Sequence, residues 1–150
     1  MRRLHASLVL VALLALLLAS HVVLAEPAAP PPAFVVIVHP RNPHQALDRS
    51  FVADAFLKKT TRWPGGDVIK PVDLPPDAAA RERFSRDIVK RSVPAVKSYW
   101  QQIIFSGRDV PPPELASDEL VVQYVLKHET AIGYVSGNTR LDGARTVTVR

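Results

Sequence analysis

The sequence predicts an α/β domain in which short apolar strands are separated by amphipathic helices. The first observation is the run of mostly β-branched residues at Phe34–Val38, which is typical of a strand buried on both faces, as in a parallel sheet covered by helices. The second is Leu47–Leu74, which has the pattern of a helix, a corner at Trp63, a glycine turn and a second strand over Val68–Leu74.

The first helix is expected to begin after Asp48, whose carboxylate is placed to cap the first turn. Its apolar residues share one face, and they are Phe51, Val52, Ala55 and Phe56. Lys58 and Lys59 follow at the carboxyl end, where the helix dipole favours positive charge. After the second strand, Pro75 and Pro76 break the ladder because proline has no N–H to donate.

Two longer helical patterns follow. Asp77 is expected to cap a helix that runs to about Arg91. Its apolar residues, spaced four apart, are Ala80, Phe84 and Ile88. Ser92 is expected to cap the next helix, and Gly107 to end it in the left-handed conformation. The apolar stripe of that helix consists of Val96, Tyr99, Trp100, Ile103 and Ile104.

The remaining chain predicts one more helix and two strands. Ser117 begins a helix that ends at about His128. A third strand is expected over Ala131–Ser136, where Gly133 marks a close approach of another backbone. Thr146–Arg150 alternates in polarity like a short edge strand.

The first 25 residues have the pattern of a cleaved export signal, with an uncleaved membrane anchor as the alternative. Two arginines precede an unbroken apolar run at Leu8–Ala19, and small residues end at Ala25. The run is shorter than the roughly 20 residues that a membrane-spanning helix needs. We therefore expect a proline-rich linker over residues 26–33 and one folded domain over residues 34–150.

The composition argues against several classes of function. The chain has no cysteine, which excludes disulfides and thiolate metal sites. Beyond the signal, 17 basic residues face 14 acidic ones and are scattered, which disfavours nucleic acid as a partner. His39, His44 and His128 lack companion carboxylates, so no metal is predicted. No nucleophile motif is present, and Asp73 and Asp77 are better explained by turn formation than by acid–base chemistry, so neither enzymatic activity nor a cofactor is expected.

Three segments carry a family resemblance. Phe56–Trp63 reads FLKKTTRW, the strand Val68–Leu74 follows it, and Ala131–Val135 reads AIGYV. In this order they resemble the phosphate-binding proteins of phosphate ABC transporters, whose signatures are IFLGK-x-x-x-W and GAIGYV. The resemblance implies a type II periplasmic-binding-protein fold. Those proteins hold phosphate in a cleft between two lobes, and this chain is similar to one lobe only.

The sequence departs from the family just after the second strand. The family has an arginine and a Ser-Gly-Thr turn there, which offers hydroxyl and N–H groups to an anion at a helix end. Here the same place reads Asp73-Leu74-Pro75-Pro76-Asp77. The prolines have no N–H, and the two carboxylates would repel phosphate. The usual phosphate loop is therefore not expected.

Arg41, Arg62 and Arg81 are the candidate ligand-binding residues. They are the cations nearest the connections at which α/β domains bind ligands, and a guanidinium can bind an oxyanion through two hydrogen bonds. The alternative is that they are solvated surface residues with local ion pairs.

Two functions remain open on the sequence. The first is a solute-binding protein of the periplasm that binds phosphate or another small oxyanion non-covalently and serves a transporter. The alternative is an envelope interaction or regulatory module that kept the fold and lost the ligand. Self-association would rebuild a cleft between two copies and connects the two hypotheses.

Overall fold

The computed structural model describes residues 32–150, so the predicted export signal and most of the proline-rich linker lie outside the described residues. The described chain folds around a five-stranded sheet in the order β2-β5-β1-β4-β3. The strands are β1 Val35–Val38, β2 Ala46–Leu47, β3 Lys70–Pro71, β4 Ala131–Val135 and β5 Arg145–Val149. The helices are α1 Arg49–Phe56, α2 Ala79–Phe84, which continues as a π-helical segment at Ser85–Val89, α3 Val93–Phe105 and α4 Asp118–Lys127. The predicted α/β class is confirmed.

The central strand is β1, whose last three residues are buried. It pairs antiparallel with β4, where Val35 lies opposite Val135, and antiparallel with β5, where Val36 lies opposite Val147. Burial on both faces is therefore confirmed, but the parallel pairing expected for this strand is wrong. A continuous apolar run indicates that both faces of a strand are buried. It does not determine whether the neighbouring strands run parallel or antiparallel to it.

The alternating segment near residue 150 forms β5, but it is not an edge strand. It lies between β1 and β2, and Ala46 of β2 pairs in parallel with Thr148. The alternation arises because Val147 is buried while Thr146 and Thr148 are exposed. The edge strand next to β5 is β2. It is only two residues long, so the sequence shows no periodicity from which it could be predicted.

The second predicted strand, Val68–Leu74, is regular only at β3, which pairs in parallel with β4. Beyond it, Val72 N donates to Ile132 O at 3.0 Å. Asp73 then exchanges backbone hydrogen bonds with the connector before α4, donating to Pro113 O and accepting from Leu115 N, both at 2.9 Å. The end of this strand is thus held between β4 and an extended connector.

Both serine caps and the cap position of Asp48 were predicted correctly, whereas the cap predicted at Asp77 is wrong. Oγ of Ser92 accepts from Ala95 N at 3.3 Å, and Oγ of Ser117 accepts from Leu120 N at 3.4 Å. The cap position of α2 is Ala78, one residue after Asp77, and Asp48 occupies the cap position of α1 without a side-chain hydrogen bond.

The helices bury one face each against the sheet and one another. In the second predicted helix, Ala80, Phe84 and Ile88 are buried as expected. In α3 the buried part of the stripe is Val96, Trp100 and Ile103. Ile104 is an exception: it is 49% exposed because it lies at the margin of the stripe and turns towards solvent. No helix between residues 32 and 150 combines the length and apolarity needed to cross a bilayer.

Gly133 lies in β4, where side chains from α4 and from the residue after β3 approach it closely. A Cβ atom added to it would lie 2.7 Å from Cγ1 of Val121 and 3.0 Å from Cγ1 of Val72. All residues of β4 are buried, so these neighbours have little room to move. Crowding at Gly133 is therefore confirmed, but the backbone approach expected from the sequence is wrong, because the approaching atoms belong to valine side chains.

We expect Gly133→Ala to lower the free energy of unfolding by about 1–3 kcal/mol, because a buried methyl group must displace packed valines. Gly65→Ala is the matched control, since nothing lies within 4 Å of its added Cβ. Denaturant unfolding of both variants measures the difference. Equal stabilities would show that α4 does not pack this closely on β4.

Candidate functional site

The carboxyl ends of β3 and β4 meet at one edge of the sheet because these two strands run parallel. We call this the strand-end edge and define it by Asp73–Asp77, Ser117–Asp118 and Ser136. Helix α4 begins here, and these segments line a recess of about 310 Å³. Such an edge is the usual place for a ligand in an α/β domain.

A buried ionic network consisting of Asp73, Arg81 and Tyr134 lies at this edge. One carboxylate oxygen, Oδ1 of Asp73, forms an ion pair with Nη1 of Arg81 and accepts hydrogen bonds from Oη of Tyr134 and, at 3.0 Å, from the N–H of Leu74. Arg81 Nη1 also donates to Leu74 O at 2.9 Å, and Nη2 lies 3.8 Å from Oε1 of Glu114. The three side chains thus satisfy one another inside the protein.

Burial controls the protonation of this network. It raises the pKa of the Asp73 carboxyl, against the opposing effects of Arg81, the Tyr134 hydroxyl and the Leu74 N–H. Burial also raises the pKa of Tyr134 well above its ordinary value of 10.0, and the neighbouring Asp73 charge adds to this. Tyr134 therefore keeps its proton and acts as a hydrogen-bond donor.

Aromatic packing fixes the direction of the Tyr134 hydroxyl. The Phe84 ring stacks on the Tyr134 ring with centroids 3.9 Å apart and an interplanar angle of 4°. Phe56 and Phe34 contact the same ring at centroid distances of 5.6 and 6.4 Å. With the ring held by three others, the hydroxyl stays directed at Asp73.

The recess at the strand-end edge does not suit an anion. Asp77 and Asp118 line it, and no basic side chain does among residues 32–150. Oδ2 of Asp118 accepts hydrogen bonds from Ser136 N at 3.2 Å and from Thr139 Oγ1 at 2.9 Å, so it is fixed in place. Pro75 contributes no N–H.

The three candidate arginines lie in different places and do not converge on one pocket. Arg41 is exposed and lies 2.8 Å from Oε1 of Glu129, beside a cavity of about 290 Å³. Arg62 is exposed and donates to Gly66 O at 2.7 Å. Arg81 is buried in the network described above. The first two match the surface alternative raised by the sequence, whereas Arg81 has an internal role.

A groove of about 620 Å³ runs between α3 and the proline-rich connector that follows it. Trp100 and Ile104 of α3 and Pro111 line its apolar walls, and Asp73 and Arg81 lie among its lining residues. The ionic network, although nearly closed to water, therefore borders a cavity.

A second cavity, of about 570 Å³, lies before the amino terminus of α3. Its lining includes three cations, Arg86, Lys90 and Arg91, and two carboxylates, Asp77 and Glu82. Arg86 Nη2 lies 3.2 Å from Oε1 of Glu82, four residues, or about one helical turn, earlier.

The sequence did not predict the ionic network. The sequence pattern suggested Asp77 as the possible acid–base partner of Asp73. In the structure, the partners of the Asp73 carboxylate are Arg81 and Tyr134. One usable signal was present: the charged residue Asp73 lies near the end of an apolar strand, with only Leu74 between it and two prolines, and such a residue needs a partner if it is buried.

The aromatic corner and the histidines have structural contacts. Trp63 is buried and its Nε1 donates to Thr130 O at 3.0 Å, while His44 stacks on it with centroids 5.3 Å apart. His39 Nδ1 accepts a hydrogen bond from Arg41 N at 3.1 Å. Among residues 32–150 there is no cluster of three or more His, Asp or Glu side chains placed to hold a metal ion.

Solved structures share this architecture. The chain is similar to an ABC-type phosphate transport receptor from Vibrio cholerae (14% identity, TM-score 0.61, covering 78% of this chain and 46% of that one). It is also similar to a phosphate ABC transporter substrate-binding protein with bound phosphate from Clostridium perfringens (23% identity, TM-score 0.59, covering 78% of this chain and 44% of that one). A third similar structure is PstS from Borrelia burgdorferi (11% identity, TM-score 0.59, covering 79% of this chain and 47% of that one). The described chain has the phosphate-binding-protein fold.

The fold match confirms the resemblance found in the sequence, at the level of architecture. The chain spans less than half the length of each of these structures, which agrees with the expectation that it resembles one lobe. No protein-family model and no curated protein sequence matches the chain.

The raised pKa of Tyr134 predicts a loss of stability in alkali. Above about pH 10 the unfolded chain releases this phenolic proton and the folded chain keeps it, so the free energy of unfolding falls as pH rises, by up to about 1.4 kcal/mol per pH unit. Below pH 10 the stability contribution is fully present. Denaturant unfolding at increasing pH measures the slope.

Tyr134→Phe is the control, because phenylalanine cannot ionise and the other two tyrosines remain. We expect a shallower alkaline slope in this variant, together with lower stability at neutral pH because Asp73 loses a buried donor. An unchanged slope would show that Tyr134 ionises equally in the folded and unfolded states.

Proposed function

We propose that this protein is an exported, non-enzymatic binding module that has the phosphate-binding-protein fold and acts by contacting another protein of the bacterial envelope. The observation that carries the proposal is the buried pairing of Arg81 with Asp73. It leaves the strand-end edge with carboxylates and prolines where an anion would need free donors.

An apolar patch supports the proposal of a protein partner. At the end of α3, Ile104, Phe105 and Val110 are 49%, 91% and 60% exposed, and Ile104 also lines the apolar groove beside α3. Large side chains exposed close together in this way mark interaction surfaces. The proposed partner is a transporter component, another envelope protein or a second copy of this chain, and the proposed compartment is the periplasm.

A second candidate function is non-covalent binding of a small oxyanion such as phosphate. The cavity before α3 favours it, because Arg86, Lys90 and Arg91 line one space. Arg86 is already paired with Glu82, which leaves Lys90 and Arg91 as the residues to supply the charge. This candidate anion site borders the strand-end edge, because Pro76 and Asp77 also line the cavity.

Titration calorimetry of the purified protein with phosphate and sulfate separates the two candidates. We expect no saturable heat at millimolar anion. Saturable binding that is lost in Lys90→Ser/Arg91→Ser, and kept in a control variant of an exposed arginine elsewhere, Arg140→Ser, would replace the first candidate by the second.

Site-specific photo-crosslinking in the native envelope tests the protein-contact proposal directly. With the crosslinker at Phe105 we expect a discrete adduct that is absent when it is placed at Asp142, another exposed position. The same adduct at both positions, or none at Phe105, would count against a partner that binds this patch.

A further inference from the structure

We propose that Arg81, Tyr134 and the Leu74 N–H form a receptor for a carboxylate or similar small oxyanion, and that the Asp73 side chain is its built-in ligand. The inference deepens the proposed function, because it identifies what fills the strand-end edge in place of an external anion. It assigns Asp73 to the role of an internal occupant of a binding site.

The geometry of the donors carries this proposal. A guanidinium N–H, a phenolic O–H and a backbone N–H converge on the single oxygen Oδ1 of Asp73. Three donors of different origin aimed at one point are what an anion site requires, since each hydrogen bond to a charged acceptor is stronger than a neutral one. Each donor comes from a different element: Arg81 from α2, Tyr134 from β4, and Leu74 from the segment after β3.

The donors are held in place by groups other than Asp73. Arg81 is anchored by Leu74 O at 2.9 Å and lies near Glu114, while the Tyr134 ring is fixed by stacking on Phe84. A receptor that is preorganised in this way keeps its shape when the occupant is removed. The carboxylate is thus the exchangeable part of the network.

The position of the network gives an external anion a route. Asp73 and Arg81 lie among the residues lining the groove beside α3, together with Lys97, a cation on the path. Removing the Asp73 side chain would open a space that connects to this groove. The vacated space has the size of a carboxyl group, so formate is the matching probe.

The test is rescue of Asp73→Ala by formate. The melting temperature of this variant should rise by about 4 °C when formate reaches roughly ten times its Kd, and logarithmically with concentration beyond that, because the anion binds only the folded state. The wild-type protein, whose site is filled, should show no such rise. Asp73→Ala/Arg81→Met, which lacks the cationic donor, should not respond either.

If Asp73→Ala does not fold in buffer, the proposal requires formate to restore its circular dichroism spectrum, with Asp73→Asn as the folded reference of similar shape. The proposal is overturned if formate leaves Asp73→Ala unchanged, or if it stabilises the double variant or the wild-type protein equally well. This test is independent of phosphate calorimetry on the wild-type protein, which addresses the proposed function.

Discussion

The ion pair between Asp73 and Arg81 lies where the end of β3, β4 and α2 meet. Through Tyr134 it ties the end of β3 to β4, and through Arg81 it ties both to α2. Taking two charges out of water costs free energy, and that cost is offset here only because the carboxylate has three donors. Removing any member leaves a buried polar group without its partner, which lowers the free energy of unfolding even where the remaining side chains keep their positions.

Local features of the fold were predictable because they depend on neighbouring residues. The capping serines Ser92 and Ser117 follow from chemistry within a few positions, since each hydroxyl accepts a hydrogen bond from the N–H three residues later. The strand directions and the place of β5 in the sheet were not predictable from the sequence, because they depend on which distant strand becomes the neighbour. An apolar run such as Phe34–Val38 indicates burial and leaves that choice open.

The candidate site shows the same division between local and distant information. The loss of the Ser-Gly-Thr turn at Pro75-Pro76 could be read directly from the sequence. The Asp73–Arg81–Tyr134 network could not, because it joins residues from three elements, 61 positions apart for Asp73 and Tyr134. Fold alone does not determine ligand chemistry at this edge: the architecture is similar to that of phosphate-binding proteins, while Asp77 and Asp118 line the recess at the strand ends.

The central position of β1 has a consequence for how the chain is made. Both of its neighbours, β4 and β5, are encoded roughly 100 residues after it, so β1 has no partner until nearly all of the described chain has been synthesised. Such long-range pairing delays folding during translation. The sheet therefore assembles late, because its central strand is made first and its last strand, β5, is made at the end of the described chain.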